Sequence, residues 1–397
     1  MEILIQRFYE KYAEVSTKII RNFMHQVDWS NRFIGIKGSR GVGKTTLLMQ
    51  YIKLHFVPDH KVLYASLDHF YFSDNRLYDL ANDFYKKGGE LLALDEVHRY
   101  PTWSTELKNI YDDFPGLRVI FTGSSLLQLR RATADLSRRA VMYEMPGLSF
   151  REYLNIETGR EIQPLTLEEL ITHHVELAIG LISGLKPLAY FSGYLEYGHY
   201  PFYLENKSSF HQKLNEIIQV VLEIDIPQYE NLPAANIILL KKLLQVVSGS
   251  VPFKPNIQSL SQRTGISVNT LKNYLVYLED ARLISSLHAP DWGLNRLSKP
   301  DKLYLHDTNM MVALAGNQQD TGNVRETFFM NQVSEKYPVS SAKETDFLVA
   351  EKYFFELGGK SKSKKQVRQL ENAFVVKDGI EIGSGNVIPL WLFGLLY

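Results

Sequence analysis

An α/β fold built on a parallel sheet is what this sequence predicts, and three observations carry the prediction. Short apolar runs alternate with helical stretches through the first 150 residues; a glycine-rich turn joins one of those runs to a helix; and a later run ends in two adjacent acids. Apolar runs of four or five residues recurring between helices mark strands covered on both faces, which is the situation of a parallel sheet.

The elements follow in order. From Met1 to about Met24, Phe8, Tyr12, Val15, Ile19, Ile20 and Phe23 recur at helical spacing and predict an N-terminal helix. Phe33–Ile36, Val62–Ala65, Leu91–Leu94, Val119–Phe121 and Ala140–Tyr143 are the five strand candidates, each set off by helical or turn-rich sequence. Pro146 and Gly147 close this block, and Ser149 with Glu152 has the spacing of a capping box that opens a helix. Residues 151 to 250 read as helical, including Leu214–Leu222 and Ile237–Val247. The segment Ile257–Ser267, broken at Gly265, and the stripe Leu271, Leu275, Leu278 then read as a helix-turn-helix, with Leu283–Leu287 as the first strand of a following hairpin. A last small α/β block contains a helix over Val324–Val333 and strands at Phe347–Val349, Tyr353–Phe355 and Ala373–Val376. Three domains are expected: 1–150, 151–310 and 311–397.

Composition narrows the function classes. A chain of 397 residues exceeds one ordinary core, and 45% apolar with 22% charged residues excludes a disordered or fibrous class. With no cysteine there is neither a disulfide nor a thiolate metal site, and a cytoplasmic location is expected because no apolar leader opens the chain. No apolar run is long enough to span a bilayer. Lys+Arg and Asp+Glu both number 44, so contact with nucleic acid would have to come from a local basic surface.

Gly38-Ser39-Arg40-Gly41-Val42-Gly43-Lys44-Thr45 fits the phosphate-loop pattern G-x-x-x-x-G-K-[ST], placed between the first strand and a helix opened by Thr46. A triphosphate needs inward-pointing backbone N–H groups at a helix N-terminus, and glycine lets the backbone approach without a Cβ. In that setting Lys44 serves the β- and γ-phosphates and Thr45 the Mg²⁺. About fifty residues on, Asp95 and Glu96 end a buried strand, where Asp95 would hold Mg²⁺ and Glu96 would polarise the attacking water. Thr122-Gly123-Ser124-Ser125 ends the fourth strand in hydroxyls suited either to sensing the γ-phosphate, Ser124 first among them, or to capping the next helix. Arg138 and Arg139 follow a helix that also carries Arg130 and Arg131. They read either as charge stabilisers for the transferring phosphoryl group, on this chain or a neighbour, or as solvated surface arginines.

Together the phosphate loop, Leu94-Asp95-Glu96-Val97-His98-Arg99-Tyr100, Trp103, the Phe121–Ser125 strand end and Leu148–Leu154 resemble predicted bacterial and archaeal ATPases of the AAA+ superfamily. Those proteins join an N-terminal ATPase to a C-terminal region with a winged helix and a nuclease-like domain. Lys302–Thr308 and Gly322–Glu326 match landmarks of that region. The resemblance implies a P-loop NTPase parallel sheet ordered 5-1-4-3-2, ATP and Mg²⁺ as cofactors, and a helical and winged-helix region followed by a small nuclease-like domain. The preference for adenine comes from the resemblance alone.

In the last block, Asp346 and Glu356 with a nearby lysine resemble the PD-(D/E)xK nuclease core, with Glu326 as a further ligand and Gln366 just beyond. There, paired carboxylates at adjacent strand ends hold Mg²⁺ and a lysine orients water. The usual spacing of two between acid and lysine becomes Glu356-Leu357-Gly358-Gly359-Lys360, a turn able to redirect Lys360. A DNA-processing nuclease and a nuclease-like fold without cleavage both stay open, as does a slow nucleotide-driven switch acting on a protein partner. Lys360, Lys362, Lys364, Lys365 and Arg368 make the 360–368 loop a candidate phosphate grip. The helix Val268–Glu279 offers Lys272, Asn269, Thr270 and Asn273 to DNA. The apolar end Ile388–Tyr397 is expected to pack as a terminal strand or to form an interface with another subunit, a homo-oligomer included.

Overall fold

Five parallel strands organise the first 146 residues: β1 (Phe33–Lys37), β2 (Val62–Ser66), β3 (Leu91–Asp95), β4 (Arg118–Gly123) and β5 (Val141–Glu144), in the spatial order β2-β3-β4-β1-β5. The computed structural model describes residues 1–123, 136–227, 232–249, 257–290, 299–316, 320–363 and 367–397. These divide into two compact units, Met1–Pro146 and Gly147–Tyr397. Read from the other edge, the strand order of the first unit is the expected 5-1-4-3-2.

Every position of β3 is buried, as a central strand with helices on both faces requires. Because all strands run the same way, their C-terminal ends share one edge. Register sets Lys37 beside Gly123 and Ser66 beside Asp95 on that edge. The loop after β1 and the acid ending β3 therefore meet across the end of β4, which lies between them.

The N-terminal helix α1 spans Glu2–Glu14 and stops at Val15, short of the expected Met24; a separate 3₁₀ turn covers Asn22–His25. Side chains of helix α2 (Lys44–His55) explain the early stop. Gln50 Nε2 donates to Ser16 O and Ile19 O, both at 2.8 Å, and Lys53 Nζ donates to Val15 O at 2.8 Å. The carbonyls of the extended link are satisfied from α2, so this segment needs no helix of its own.

The second unit opens with helix α3 (Phe150–Thr158), capped as its sequence predicts: Ser149 Oγ accepts from Glu152 N at 3.1 Å while the Glu152 carboxylate accepts from Ser149 N. A helical region leads to α4 (Ile257–Thr264) and α5 (Val268–Asp280), separated by Gly265 at φ +73°, and then to an antiparallel pair, β6 (Ile284–Leu287) with β7 (Lys302–Leu305).

Helix α6 (Thr321–Ser334) precedes a second five-stranded sheet ordered β12-β11-β10-β9-β8. Its strands are β8 (Val339–Ser340), β9 (Phe347–Val349), β10 (Tyr353–Gly358), β11 (Ala373–Lys377) and β12 (Val387–Pro389), antiparallel from β8 to β10 and parallel from β10 to β12.

The apolar C-terminal segment departs from expectation. Only Val387–Pro389 is strand; Leu390–Leu395 winds into a 3₁₀ helix that is buried throughout. Its contacts lie within its own unit. Tyr397 O accepts from Ser149 Oγ at 2.6 Å and from Arg151 Nε at 2.8 Å, so burial against the start of α3 hides the surface that a subunit interface would have needed.

Candidate active site

Between β1 and α2 the loop holds Gly41 at φ +87° and Gly43 at φ +96°, both in the left-handed region that favours glycine. Gly38 is required for a different reason: a Cβ there would meet Met145 O at 2.4 Å. Met145 N in turn donates to Lys37 O at 2.7 Å, which brings the chain after β5 hard against the loop. Arg21 braces the same junction, its guanidinium Nη1 donating to Val42 O at 3.2 Å and Pro146 O at 2.8 Å. Nothing in the local sequence around Arg21 signals this role, since both its partners are distant along the chain.

Lys44, the first residue of α2, is buried, and its ammonium is drawn over the loop, donating to Gly38 O at 2.9 Å and Ser39 O at 2.8 Å. Thr45 Oγ1 donates to Asp95 Oδ2 at 2.7 Å. The next residue, Thr46, is exposed.

Asp95 is 2% exposed and gathers hydroxyls from three elements. Besides Thr45 of α2, Tyr64 of β2 donates to Oδ2 at 2.9 Å and Thr122 of β4 makes a short bond to Oδ1. Burial, and then the Asp95 charge, raise the Tyr64 phenol far above its ordinary value, so it remains a donor. Tyr64 was not among the residues singled out in the sequence; the β2–β3 register brings it there. Thr122 was named within the strand-four hydroxyl group, and here it orients Asp95. Ser124, the preferred sensor, lies outside the described residues.

Glu96 adopts a left-handed backbone, φ +51°, immediately beyond β3. That turn directs its carboxylate toward the loop, with Oε2 3.9 Å from Arg40 Nη2 and 3.5 Å from the buried His98 Nε2. A cleft of about 310 Å³ adjoins Thr45, Asp95 and Glu96 and is walled by Arg7 and Lys11 of α1 and by Asp68 and His69 beyond β2. The hydroxyl of Thr45 and the carboxylate of Asp95 are hard oxygen donors held together, a set that suits Mg²⁺.

Arg138 and Arg139 are placed differently from the loop. Arg139 forms a two-point ion pair with Asp112, at 3.0 and 2.9 Å, while Arg138 is exposed. Both precede the first residue of β5, at the opposite edge of the sheet from the loop. At about 3.3 Å per residue a strand of this length separates them from the loop by roughly 13 Å. Both therefore stand at the N-terminal end of β5, away from the loop at the C-terminal end of β1.

The second expected metal pair, Asp346 and Glu356, is found with each carboxylate beside a lysine. Lys302 Nζ lies 3.3 Å from Asp346 Oδ1 and 2.9 Å from Glu326 Oε2, while Lys362 Nζ lies 2.5 Å from Glu356 Oε1. Among the described residues no group of three or more His, Cys, Asp or Glu side chains is arranged to hold a metal ion. Lys360 turns toward Gly379 instead of Glu356. Gln366, Lys364 and Lys365 lie outside the described residues.

Residues 30–154 match the family model described as an AAA domain, and residues 188–321 match one described as a domain of unknown function, DUF8612. Sheet order, loop and family match together put the N-terminal unit in the AAA and P-loop ATPase class. Over most of its length the chain is similar to an uncharacterized protein of Methanocaldococcus jannaschii, 26% identical, with 90% of this chain and 83% of that one covered. Among solved structures it is distantly similar to a Walker-type ATPase of Pyrococcus abyssi (15% identity, TM-score 0.39, 78% of this chain and 94% of that one). A further likeness is to AMPPCP-bound DnaA from Aquifex aeolicus (18% identity, TM-score 0.27, 70% and 88% covered).

Proposed function

We propose that this chain is a Mg²⁺-dependent ATP hydrolase whose nucleotide state controls the region from Gly147 to Tyr397. The observation that carries the reading is the convergence of Thr45 and Asp95, fifty positions apart, at 2.7 Å beside the Lys44 loop. In this reading the loop N–H groups and Lys44 grip the phosphates, and Thr45 and Asp95 hold Mg²⁺, which when bound offsets charge on the β- and γ-oxygens. Glu96 orients water for in-line attack on the γ-phosphate. An arginine from a second copy, Arg138 or Arg139, would complete the site; on their own chain both precede β5, at the end of that strand away from the loop.

Helices α4 and α5 with the β6–β7 pair support a winged-helix reading, and Asn269 and Asn273 are exposed on α5 as base readers. DNA or a protein partner would then be what the ATP cycle acts on. A second reading, a slow switch, is favoured by the Glu96 contacts to Arg40 and His98, which hold the water-orienting carboxylate before any substrate is present. ATP binding and turnover, measured with and without DNA for wild type, Lys44→Ala and Glu96→Gln, test these readings. Unchanged ATP affinity in Lys44→Ala would remove the first; tight binding with turnover below about one per minute would select the second.

A further inference from the structure

The carboxylates of the C-terminal sheet invite comparison with a metal-dependent nuclease, and their neighbours show why the comparison fails. Glu326 comes from α6, Asp346 from the approach to β9 and Glu356 from β10. Lys302, from β7, reaches between the first two at 2.9 and 3.3 Å and also lies over the Phe347 ring, 5.7 Å from its centroid. Tyr304 OH donates to Glu326 Oε2 at 2.7 Å, and Leu357 N donates to Asp346 Oδ2 at 2.9 Å. The oxygens that would face a cation are thus directed at an ammonium, a hydroxyl and an amide.

Glu356 is neutralised separately, and glycine makes that possible. A Cβ on Gly358 would meet the Lys362 stem at 2.6 Å, so only a residue without a side chain lets Lys362 fold back across β10 to reach Glu356. Burial of Lys302 opposes its charge, yet Glu326 and Asp346 together raise its pKa above the ordinary value. The ammonium is therefore present at neutral pH.

We infer that Lys302 occupies the place of a divalent cation, making the Glu326–Asp346 cluster a lysine-filled joint that ties β7 to the small sheet, and not a centre for phosphodiester cleavage. The donor set does not fit Mg²⁺: each carboxylate already has a cationic partner, and adding a second cation beside the ammonium would be repulsive. The joint links three segments, β7, α6 and the β9 approach, so it sets where the β6–β7 pair sits on the sheet.

Mn²⁺ titration of the full-length, nucleotide-free protein, followed by electron paramagnetic resonance, tests this. Thr45→Ala serves as the common background, so that the nucleotide site contributes no signal. The expected result is no stoichiometric Mn²⁺ site in that background. Adding K302A should create one site at least about tenfold tighter, and adding E326Q should abolish it again. Mn²⁺ should also raise the melting temperature of the K302A protein and leave that of its parent unchanged. K302M, which keeps most of the apolar stem, provides the same comparison should K302A fail to fold. A stoichiometric Mn²⁺ site already present with Lys302 intact and lost in E326Q would overturn the inference, as would a folded K302A or K302M protein that binds no more Mn²⁺ than its parent.

Discussion

Thr45 and Asp95 are joined by a 2.7 Å hydrogen bond, and the same carboxylate oxygen accepts a second hydroxyl, from Tyr64 at 2.9 Å. One acid thus connects the helix that follows the phosphate loop to β2, the strand next to its own in the sheet. Tyr64 does not touch the reacting groups in the proposed chemistry; it positions Asp95. We predict that Tyr64→Phe leaves ATP affinity close to wild type and lowers kcat by about tenfold, within the range seen when an outer partner of a metal ligand is removed. Steady-state turnover at saturating ATP over a series of Mg²⁺ concentrations checks this. A kcat that does not move would show that Thr45 and Thr122 suffice to orient the carboxylate.

Glu96 is placed by an unusual backbone, and its carboxylate faces the loop at the end of β3. Glu96→Gln keeps the shape and removes the base. Hydrolysis should fall by roughly 10²- to 10⁴-fold, the usual contribution of a positioned general base, while ATP still binds. Single-turnover hydrolysis paired with equilibrium ATP binding separates the two quantities. Equal losses in both would mean that Glu96 holds the loop together instead of acting on water.

Arg21 bridges Val42 O and Pro146 O, two carbonyls 104 positions apart in the chain. Truncating it leaves a buried acceptor, Val42 O, and a half-buried one, Pro146 O, without their charged donor, at a cost of about 1–3 kcal/mol. Arg21→Ala should therefore lower the melting temperature of the N-terminal unit and weaken ATP binding. Arg21→Lys should rescue little, because a single ammonium cannot reproduce the guanidinium fork. Thermal denaturation with and without ATP is the measurement, and full rescue by lysine would contradict the account.

His306 gives the second unit a pH dependence. Burial, then Arg282 and His199, hold its pKa well below the ordinary 6.5, so the folded protein keeps it neutral. The unfolded chain takes up a proton as pH falls below 6.5 and the folded chain does not, so stability is full above that value and declines below it. The decline approaches roughly 1.4 kcal/mol per pH unit for one such group until the folded pKa is reached. Denaturation midpoints at pH 7.5, 6 and 5 should fall less steeply for His306→Asn than for wild type. Parallel slopes would assign the acid sensitivity elsewhere.

Local patterning made much of the architecture legible. The five strands of the first sheet lie within a residue or two of their apolar runs, and the Ser149–Glu152 cap forms as spaced. The β9 strand coincides with Phe347–Val349. Side-chain period and capping chemistry report on neighbours a few residues apart, and those neighbours are the ones that define an element. The phosphate loop is legible for a related reason: its glycine conformations and its lysine are needed within a single turn of chain.

Tertiary structure decided which distant groups meet. Tyr64 reaches Asp95 because parallel register sets Ser66 beside that acid, and Arg21 reaches Pro146 across 125 positions. Arg139 lies at the far sheet edge because strand direction puts it there, although its sequence offers the same charge as an arginine at the site. Lys362, and not Lys360, pairs with Glu356 because the bare backbone of Gly358 lets a side chain cross it. Residue types and local spacing therefore determined the elements and the chemistry available to them. Register, strand direction and close backbone approach, which depend on the whole fold, determined the partners.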